Sequence, residues 1–160
     1  MLLKKCRNCK SKNISILFTL GKLTYTGRFP KKINQKIKNG ELNIVICKDC
    51  ELVQLGNHFD LKYLYGPNYG YRTGINQTMT EHVKAITKYL SKKTKLKKGD
   101  SALDIASNDG TLLNFYNKKI TTLGIDPLVN KYKKFYKNIN YKISNFFDHK
   151  KITKIHKKKI

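Results

Sequence analysis

The chain has 160 residues and a formal net charge of +24 at pH 7, a length that suits one domain or a small module joined to part of a larger one. It contains nothing near the roughly 20 consecutive apolar residues of a membrane-spanning helix, and its first residues do not resemble a signal peptide. We therefore expect a cytoplasmic protein without a membrane partner. In that reducing compartment, paired cysteines more often bind metal than form disulfides.

The positive charge could attract a nucleic acid, because a basic surface binds phosphate backbones whatever their sequence. Of the 34 basic residues, however, only Arg7, Arg28 and Arg72 are arginines, and arginine is the side chain that contacts bases and phosphates in a bidentate manner. The lysines are spread over nearly every segment. A nucleic-acid-binding protein with a zinc module is therefore the alternative function, not the leading one.

The first predicted unit, residues 1–56, contains all the cysteines. They form two Cys-x-x-Cys pairs: Cys6 with Cys9, and Cys47 with Cys50. A β-type apolar stretch at 42–46 leads into the second pair. Four thiolates complete a tetrahedral zinc site with no open position for water, so we expect a structural zinc ion whose binding drives folding of this module. Free thiols or redox pairs are the alternative.

Residues 57–98 are predicted to connect this module to a second domain. A segment rich in Tyr and Gly at 65–74 contains too many helix breakers for regular structure. The apolar residues that follow recur at spacings of three and four: Met79, Val83, Ile86 and Leu90. This pattern predicts an amphipathic helix that runs to about Ser91.

Residues 99–147 are predicted to form a βαβαβ unit with parallel strands. The expected strands are 102–105, 122–126 and about 140–143, and the expected helices contain 112–116 and about 128–136. After 146–147 the apolar content falls, and 148–160 is predicted to be a lysine-rich tail.

The turn after the first of these strands and the end of the second should face one crevice. Asp126 lies 22 residues after Asp104, about the separation expected for an acidic residue that binds a ribose. The three-glycine fingerprint of dinucleotide sites is missing, since Ala106 and Asn108 stand where glycines are needed. The pattern therefore favours adenosine carrying a sulfonium over a pyrophosphate cofactor. A plain strand-to-helix turn capped by Asn108 and Asp109 is the alternative.

Together these features resemble a known family, the SAM-dependent C-methyltransferases of nucleotide-linked deoxysugars, which carry an N-terminal four-cysteine zinc domain. The similarity keeps its order and spacing from residue 6 to about residue 147. Besides the cysteine pairs, it is carried by 10–11, 51–55, 69–79 with His82, 103–113, 124–127 and 146–147. It implies an α/β fold in which a zinc module precedes the first βαβαβ half of a Rossmann-like class I methyltransferase domain, here truncated. The family usually has Gly at the position of Ala106.

The resemblance also implies how SAM and a nucleotide-linked sugar would be bound. Five residues would lie at strand ends: Ser107, Asn108, Asp109 and Gly110 around the methionine end of SAM, and Asp126 at its ribose. The loop with Tyr69 and Tyr71 would close over cofactor and sugar. Helix residues would support this loop: Thr78, Met79 and His82. Plain packing is the alternative for the tyrosines and for Met79.

The family's catalytic base is a histidine preceded by glutamate, and it lies beyond the third strand. His149 and His156 have no neighbouring glutamate, so we assign neither a catalytic role. We expect a fragment that is inactive alone, from a truncated, frame-interrupted or split gene. The edge of its first strand would be open to a separately encoded C-terminal half. A SAM-binding or scaffold remnant is a further alternative, and the sequence leaves the sugar, its carbon and the oligomeric state open.

Overall fold

A computed structural model describes residues 2–27 and 29–156 of this α/β chain. Arg28 and the end of the predicted tail, residues 157–160, lie outside the described residues. The chain divides into two compact units, Met1–Gly70 and Tyr71–Ile160. Within the described ranges, no helix combines the length and apolar character needed to cross a membrane.

The first unit contains an antiparallel three-stranded sheet in the order β1-β2-β3. Its strands are β1 Ile14–Thr24, β2 Asn39–Cys47 and β3 Val53–Leu55. The predicted β-type stretch 42–46 lies inside β2. Burial alternates along this strand and reaches its maximum at Asn43, Val45 and Cys47, as expected when side chains of period two face one core.

The strand register places the two cysteine pairs side by side. Ile14 at the start of β1 pairs with Cys47 at the end of β2, so the residues just before β1 lie next to the turn that follows β2. A short helix, α1 Leu61–Leu64, comes after the sheet and begins at Asp60, whose carboxylate accepts the Lys62 N–H at 3.0 Å. This cap satisfies an amide that has no partner inside the helix.

The second unit begins with the predicted amphipathic helix, α2 Gln77–Lys93. The Asn76 side chain caps it by accepting the Met79 N–H at 3.0 Å. Its buried positions are Val83 and Thr87, whereas the predicted stripe included Met79 and Leu90, which are both exposed. Thr87 can be buried because its hydroxyl donates to the carbonyl of Val83 at 2.9 Å.

A parallel sheet follows in the order β4-β5-β6. Its strands are β4 Ser101–Ile105, β5 Thr121–Ile125 and β6 Tyr141–Ile143. In-register pairs such as Leu103 with Leu123 confirm the predicted strands and their parallel pairing. In the part of the chain that the structure describes, β4 pairs on one side only, so its other edge is open.

The helices in the connections between these strands are shorter than predicted. In place of a helix at 112–116 there is a 3-10 turn, Leu113–Phe115. The helix expected at 128–136 is reduced to α3 Val129–Tyr132 and a 3-10 turn, Lys133–Phe135. The Asn114 side chain donates to the Phe135 carbonyl at 2.8 Å. Such tertiary bonds replace helical ones in segments too short to sustain a helix by themselves.

The predicted lysine-rich tail also differs in the structure. Its described part contains a helix, α4 His149–Ile155, which is capped by Asp148. Ile152 packs against Leu123, Ile125 and Ile143 in the core of the parallel sheet. The surrounding lysines lower the average hydropathy of this segment, but it is anchored by the buried Ile152 and by the buried His156, whose Nε2 lies 2.8 Å from the Ser101 hydroxyl.

Replacing Ile152 with Ala should therefore destabilise the second unit by about 2 to 4 kcal/mol through lost apolar burial and an unfilled cavity. Ile152 is 3% exposed, whereas Ile155 on the same helix is 43% exposed and provides the matched control. Hydrogen exchange of the β5 amides under increasing urea reports this unit alone. Equal losses in the Ile152→Ala and Ile155→Ala variants would show that α4 does not pack on the sheet.

Candidate functional site

The four predicted metal ligands lie together in the first unit. All four cysteine sulfurs are within 4.8 Å of one another. The Sγ atoms of Cys6 and Cys50 are 3.6 Å apart, and those of Cys9 and Cys47 are 3.5 Å apart. In a tetrahedral site with Zn–S bonds of about 2.3 Å, neighbouring sulfurs are about 3.8 Å apart. The donor set and its spacing therefore fit a closed four-sulfur zinc site.

Two turns of the same construction present these sulfurs. In the first, the Lys10 N–H donates to the carbonyl of Cys6 at 3.1 Å, and in the second, the Glu51 N–H donates to the carbonyl of Cys47 at 2.8 Å. Lys10 and Glu51 both have positive φ, at 65° and 58°. Each residue follows the second cysteine of its pair, so the left-handed conformation turns the chain away once both sulfurs face inward.

The surroundings of the sulfurs favour thiolates at some positions and thiols at others. Burial acts to raise the pKa of Cys6, but hydrogen bonds from the Gln54 side chain and nearby backbone amides outweigh burial and lower the pKa to about 6. The pKa of Cys9 is raised: the Ser11 amide acts to lower it, but hydrogen bonds to the other cysteines and burial prevail. Four neighbouring thiolates repel one another, and a bound dication would allow all four to ionise.

The second group of predicted residues lies at the carboxyl ends of β4 and β5. The carboxylate of Asp126 accepts the backbone N–H of Asn108 at 3.0 Å and that of Leu128 at 2.7 Å. The neighbouring Ser107 hydroxyl lies 2.8 Å from the hydroxyl of Tyr136. The structure thus brings Asp126 against the turn 107–110, as the sequence analysis expects of strand ends that face one crevice.

Two carboxylates of this crevice have raised pKa values. Burial, opposed by the amides of Leu128 and Asn108, raises the pKa of Asp126. Burial and then the charge of Asp126 raise the pKa of Asp104 to about 6. Sequence reasoning used Asp104 as the reference point for Asp126 but gave Asp104 no role at the site, although an acidic residue in an apolar strand was a signal for one. A cation bound beside these two carboxylates would stabilise their ionised forms and lower both pKa values.

Asp109 is fully buried, and its carboxylate is occupied by the chain itself. It accepts a bond from the Arg72 guanidinium at 2.9 Å and one from the Gly74 N–H at 3.0 Å. Its other oxygen accepts the amide and the hydroxyl of Thr111. The Arg72 guanidinium also lies over the ring of Phe135, 4.0 Å from its centroid. In this arrangement Asp109 fixes the segment around Arg72 on the turn after β4, a role that the sequence analysis did not identify.

Asn108 fixes the same segment from the other side of the turn. Its side-chain oxygen accepts the Thr73 N–H at 2.9 Å, and its side-chain nitrogen donates to the Tyr71 carbonyl at 3.4 Å. The Tyr132 hydroxyl also donates to that carbonyl, at 2.9 Å. The backbone of Tyr71 is therefore held beside the crevice while its ring stays exposed. Ala106 and Asn108 adopt φ values of 62° and 49°, which explains why glycine suits the position of Ala106.

The remaining predicted residues are Tyr69 and three residues of α2. Tyr69 belongs to the first unit, where its ring packs against that of Tyr65 with centroids 5.3 Å apart. The residues predicted to support the loop are exposed on α2: Thr78, Met79 and His82. That Tyr69 closes over a cofactor, and that the three helix residues support this loop, stays a prediction.

Comparison with known protein families gives a match in the first unit. Residues 6–65 match the family model Methyltransf_13, described as "Putative zinc binding domain". The matched region contains all four cysteines and the sheet β1-β2-β3. A search of curated proteins found no match. The first unit thus contains a domain of a zinc-binding type. The name of the matching family associates this domain with methyltransferases.

The buried pair of Asp109 and Arg72 gives a direct test of the second unit. Asp109→Asn keeps the shape and an oxygen for Thr111 but places an amide N–H against the donors of Arg72 and Gly74. We expect a loss of about 3 kcal/mol in the free energy of unfolding, because Arg72 loses its partner away from water. Asp148→Asn makes the same charge change at a helix cap, where Asn serves as well as Asp, and should be nearly neutral. Similar small effects in both variants, measured by urea unfolding, would contradict the assigned role of Asp109.

Proposed function

We propose that this chain supplies the zinc module and the cofactor half-site of a SAM-dependent C-methyltransferase that acts on a nucleotide-linked deoxysugar in the cytoplasm. The observation that carries the proposal is the order of parts along one chain. A four-cysteine domain of a methyltransferase-associated family precedes a parallel sheet with acidic groups at its carboxyl ends. Ligands of open α/β sheets bind at that end.

The charge of the crevice supports SAM over a pyrophosphate cofactor. Burial raises the pKa of Asp104 to about 6 and also raises that of Asp126, so neither charge is fully compensated by the protein. A ligand with a sulfonium, an ammonium group and ribose hydroxyls supplies positive charge and hydrogen-bond donors, whereas a pyrophosphate would add negative charge. The second unit would accordingly be the first half of a Rossmann-like methyltransferase domain.

In this proposal the metal and the cofactor have separate roles. Four cysteines at one zinc ion leave no open coordination position, so zinc would hold the module together and take no part in the reaction. Bound SAM supplies the methyl group. Asp126 would accept hydrogen bonds from the ribose, and Asp104 would balance positive charge. The segment held by Asn108 and Asp109 would place Tyr71 beside the crevice to exclude water.

Carbon methylation also needs a base that removes a proton from the sugar carbon. We propose that the base and the main sugar contacts come from a further part of the enzyme that pairs with the open edge of β4. An open strand edge presents unpaired backbone N–H and C=O groups that can pair with a further strand, which supports such an arrangement. In the absence of that part, the two units should bind SAM without methylating a sugar.

The net charge of +24 favours a second candidate, a zinc-module protein that binds nucleic acid. Calorimetric titration of the zinc-loaded chain separates the two functions. The methyltransferase proposal predicts saturable SAM binding in physiological salt. Absence of SAM binding, together with DNA binding that weakens steeply as salt rises, would favour the nucleic-acid function.

The variant Asp104→Asn sharpens this test, because affinity and stability should change in opposite directions. Because the pKa of folded Asp104 is raised to about 6, stability falls as pH rises from about 4 to about 6, and the full cost is present at pH 7; Asn should therefore increase the free energy of unfolding at pH 7 by about 1 to 2 kcal/mol. The same variant should bind SAM about tenfold more weakly, since a counter-charge is lost. In the wild type, SAM affinity should rise as pH increases through about 6. Unchanged affinity in Asp104→Asn would contradict the assigned site.

A further inference from the structure

The metal cluster has a neighbour that is not a ligand. The Gln54 side-chain nitrogen lies 3.3 Å from the Cys6 sulfur. Gln54 is in β3, opposite Val45 of β2 in the strand register, so its side chain shares the inner face with Val45 and Cys47. The contact joins residues 48 positions apart in the chain.

The orientation of this amide is fixed by Arg7. The side-chain oxygen of Gln54 accepts the Arg7 backbone N–H at 3.1 Å and lies 3.4 Å from the Arg7 guanidinium. Arginine can only donate hydrogen bonds, so the oxygen must face Arg7 and the NH2 group must face the sulfur. The guanidinium is itself held by the carbonyls of Leu55 and Asn57. Arg7 thus polarises the amide in the direction that strengthens its N–H as a donor.

We propose that Gln54, held by Arg7, is a positioning residue of the metal centre that retains zinc by donating a hydrogen bond to the Cys6 thiolate. The inference rests on the zinc site itself. Four thiolates around a dication leave a net charge of 2−, and donors to the sulfurs disperse that charge. A thiolate that accepts an N–H bond is less readily protonated or attacked, and both events begin metal release. Partners outside the ligand sphere typically change metal affinity 10- to 100-fold.

A purely structural role makes a different prediction. Gln54 could serve only to tie β3 to the first cysteine turn through Arg7. Gln54→Glu separates the two roles, because a carboxylate of the same shape keeps and strengthens the bonds to Arg7. It replaces the N–H that faces the sulfur with a carboxylate oxygen, and so removes the donor and adds a negative charge beside the thiolate. The structural role predicts unchanged or slower zinc release, whereas the proposal predicts faster release.

The experiment measures zinc release from the full chain to an excess of a chromogenic chelator under reducing conditions. The matched control is Gln35→Glu, an exposed position in the same unit where the side-chain oxygen accepts the Lys31 N–H, a bond that Glu can also make. Zinc release from Gln54→Glu should be about 10- to 100-fold faster than from the wild type, and release from Gln35→Glu should stay within about twofold. Gln54→Leu, which removes the donor without adding charge, should also release zinc faster.

A spectroscopic measurement checks the same bond. In the Co(II)-substituted chain, loss of the N–H bond raises the energy of the sulfur electrons. The sulfur-to-cobalt charge-transfer band of Gln54→Glu should therefore move to longer wavelength, and that of Gln35→Glu should not. Equal release rates and equal band positions in the two variants would overturn the proposal. A wild-type chain that holds no zinc would overturn it together with the metal site, and neither outcome depends on SAM.

Discussion

Mutual repulsion among four thiolates is the constraint on which the first unit depends. Their sulfurs lie within 4.8 Å of one another, too close for all four to be ionised in the absence of a cation. The sheet and the two similar turns bring Cys6 and Cys9 to Cys47 and Cys50 across a long connection, and a metal ion at the centre makes that approach favourable. Much of the module's stability would then be binding free energy of the metal.

The second unit depends on three acidic side chains that are partnered by the protein to different extents. Its three acidic side chains at the strand ends are not equivalent: Asp109 is neutralised by Arg72, whereas Asp104 and Asp126 keep raised pKa values. The first fixes the local structure, and the other two are partly buried beside it without an ion pair among the described residues. The partner of each carboxylate thus decides its role. One turn can therefore be rigid and still offer carboxylates to a cationic ligand.

The sequence predicts features that depend on local patterns. The spacing within each cysteine pair predicts the metal ligands, and apolar patterns predict α2 and the three parallel strands. Each of these patterns lies within a few neighbouring residues. The role of Asp109 depends on Arg72, which lies 37 residues away in the chain, and no local sequence pattern predicts this pairing. The helix α4 was missed for a related reason: its lysines suggest a solvated tail, and the contacts that anchor it, Ile152 against β5 and β6 and His156 with Ser101, join residues distant in the chain.

The most direct test of the account is metal analysis combined with zinc-edge X-ray absorption on the chain purified under reducing conditions. We expect one zinc ion per chain surrounded by four sulfur atoms at about 2.3 Å. The Cys47→Ser variant should lose the metal and the protection of the β2 amides together. A zinc content near zero, or a zinc ion with fewer than four sulfur ligands in the wild type, would contradict the account.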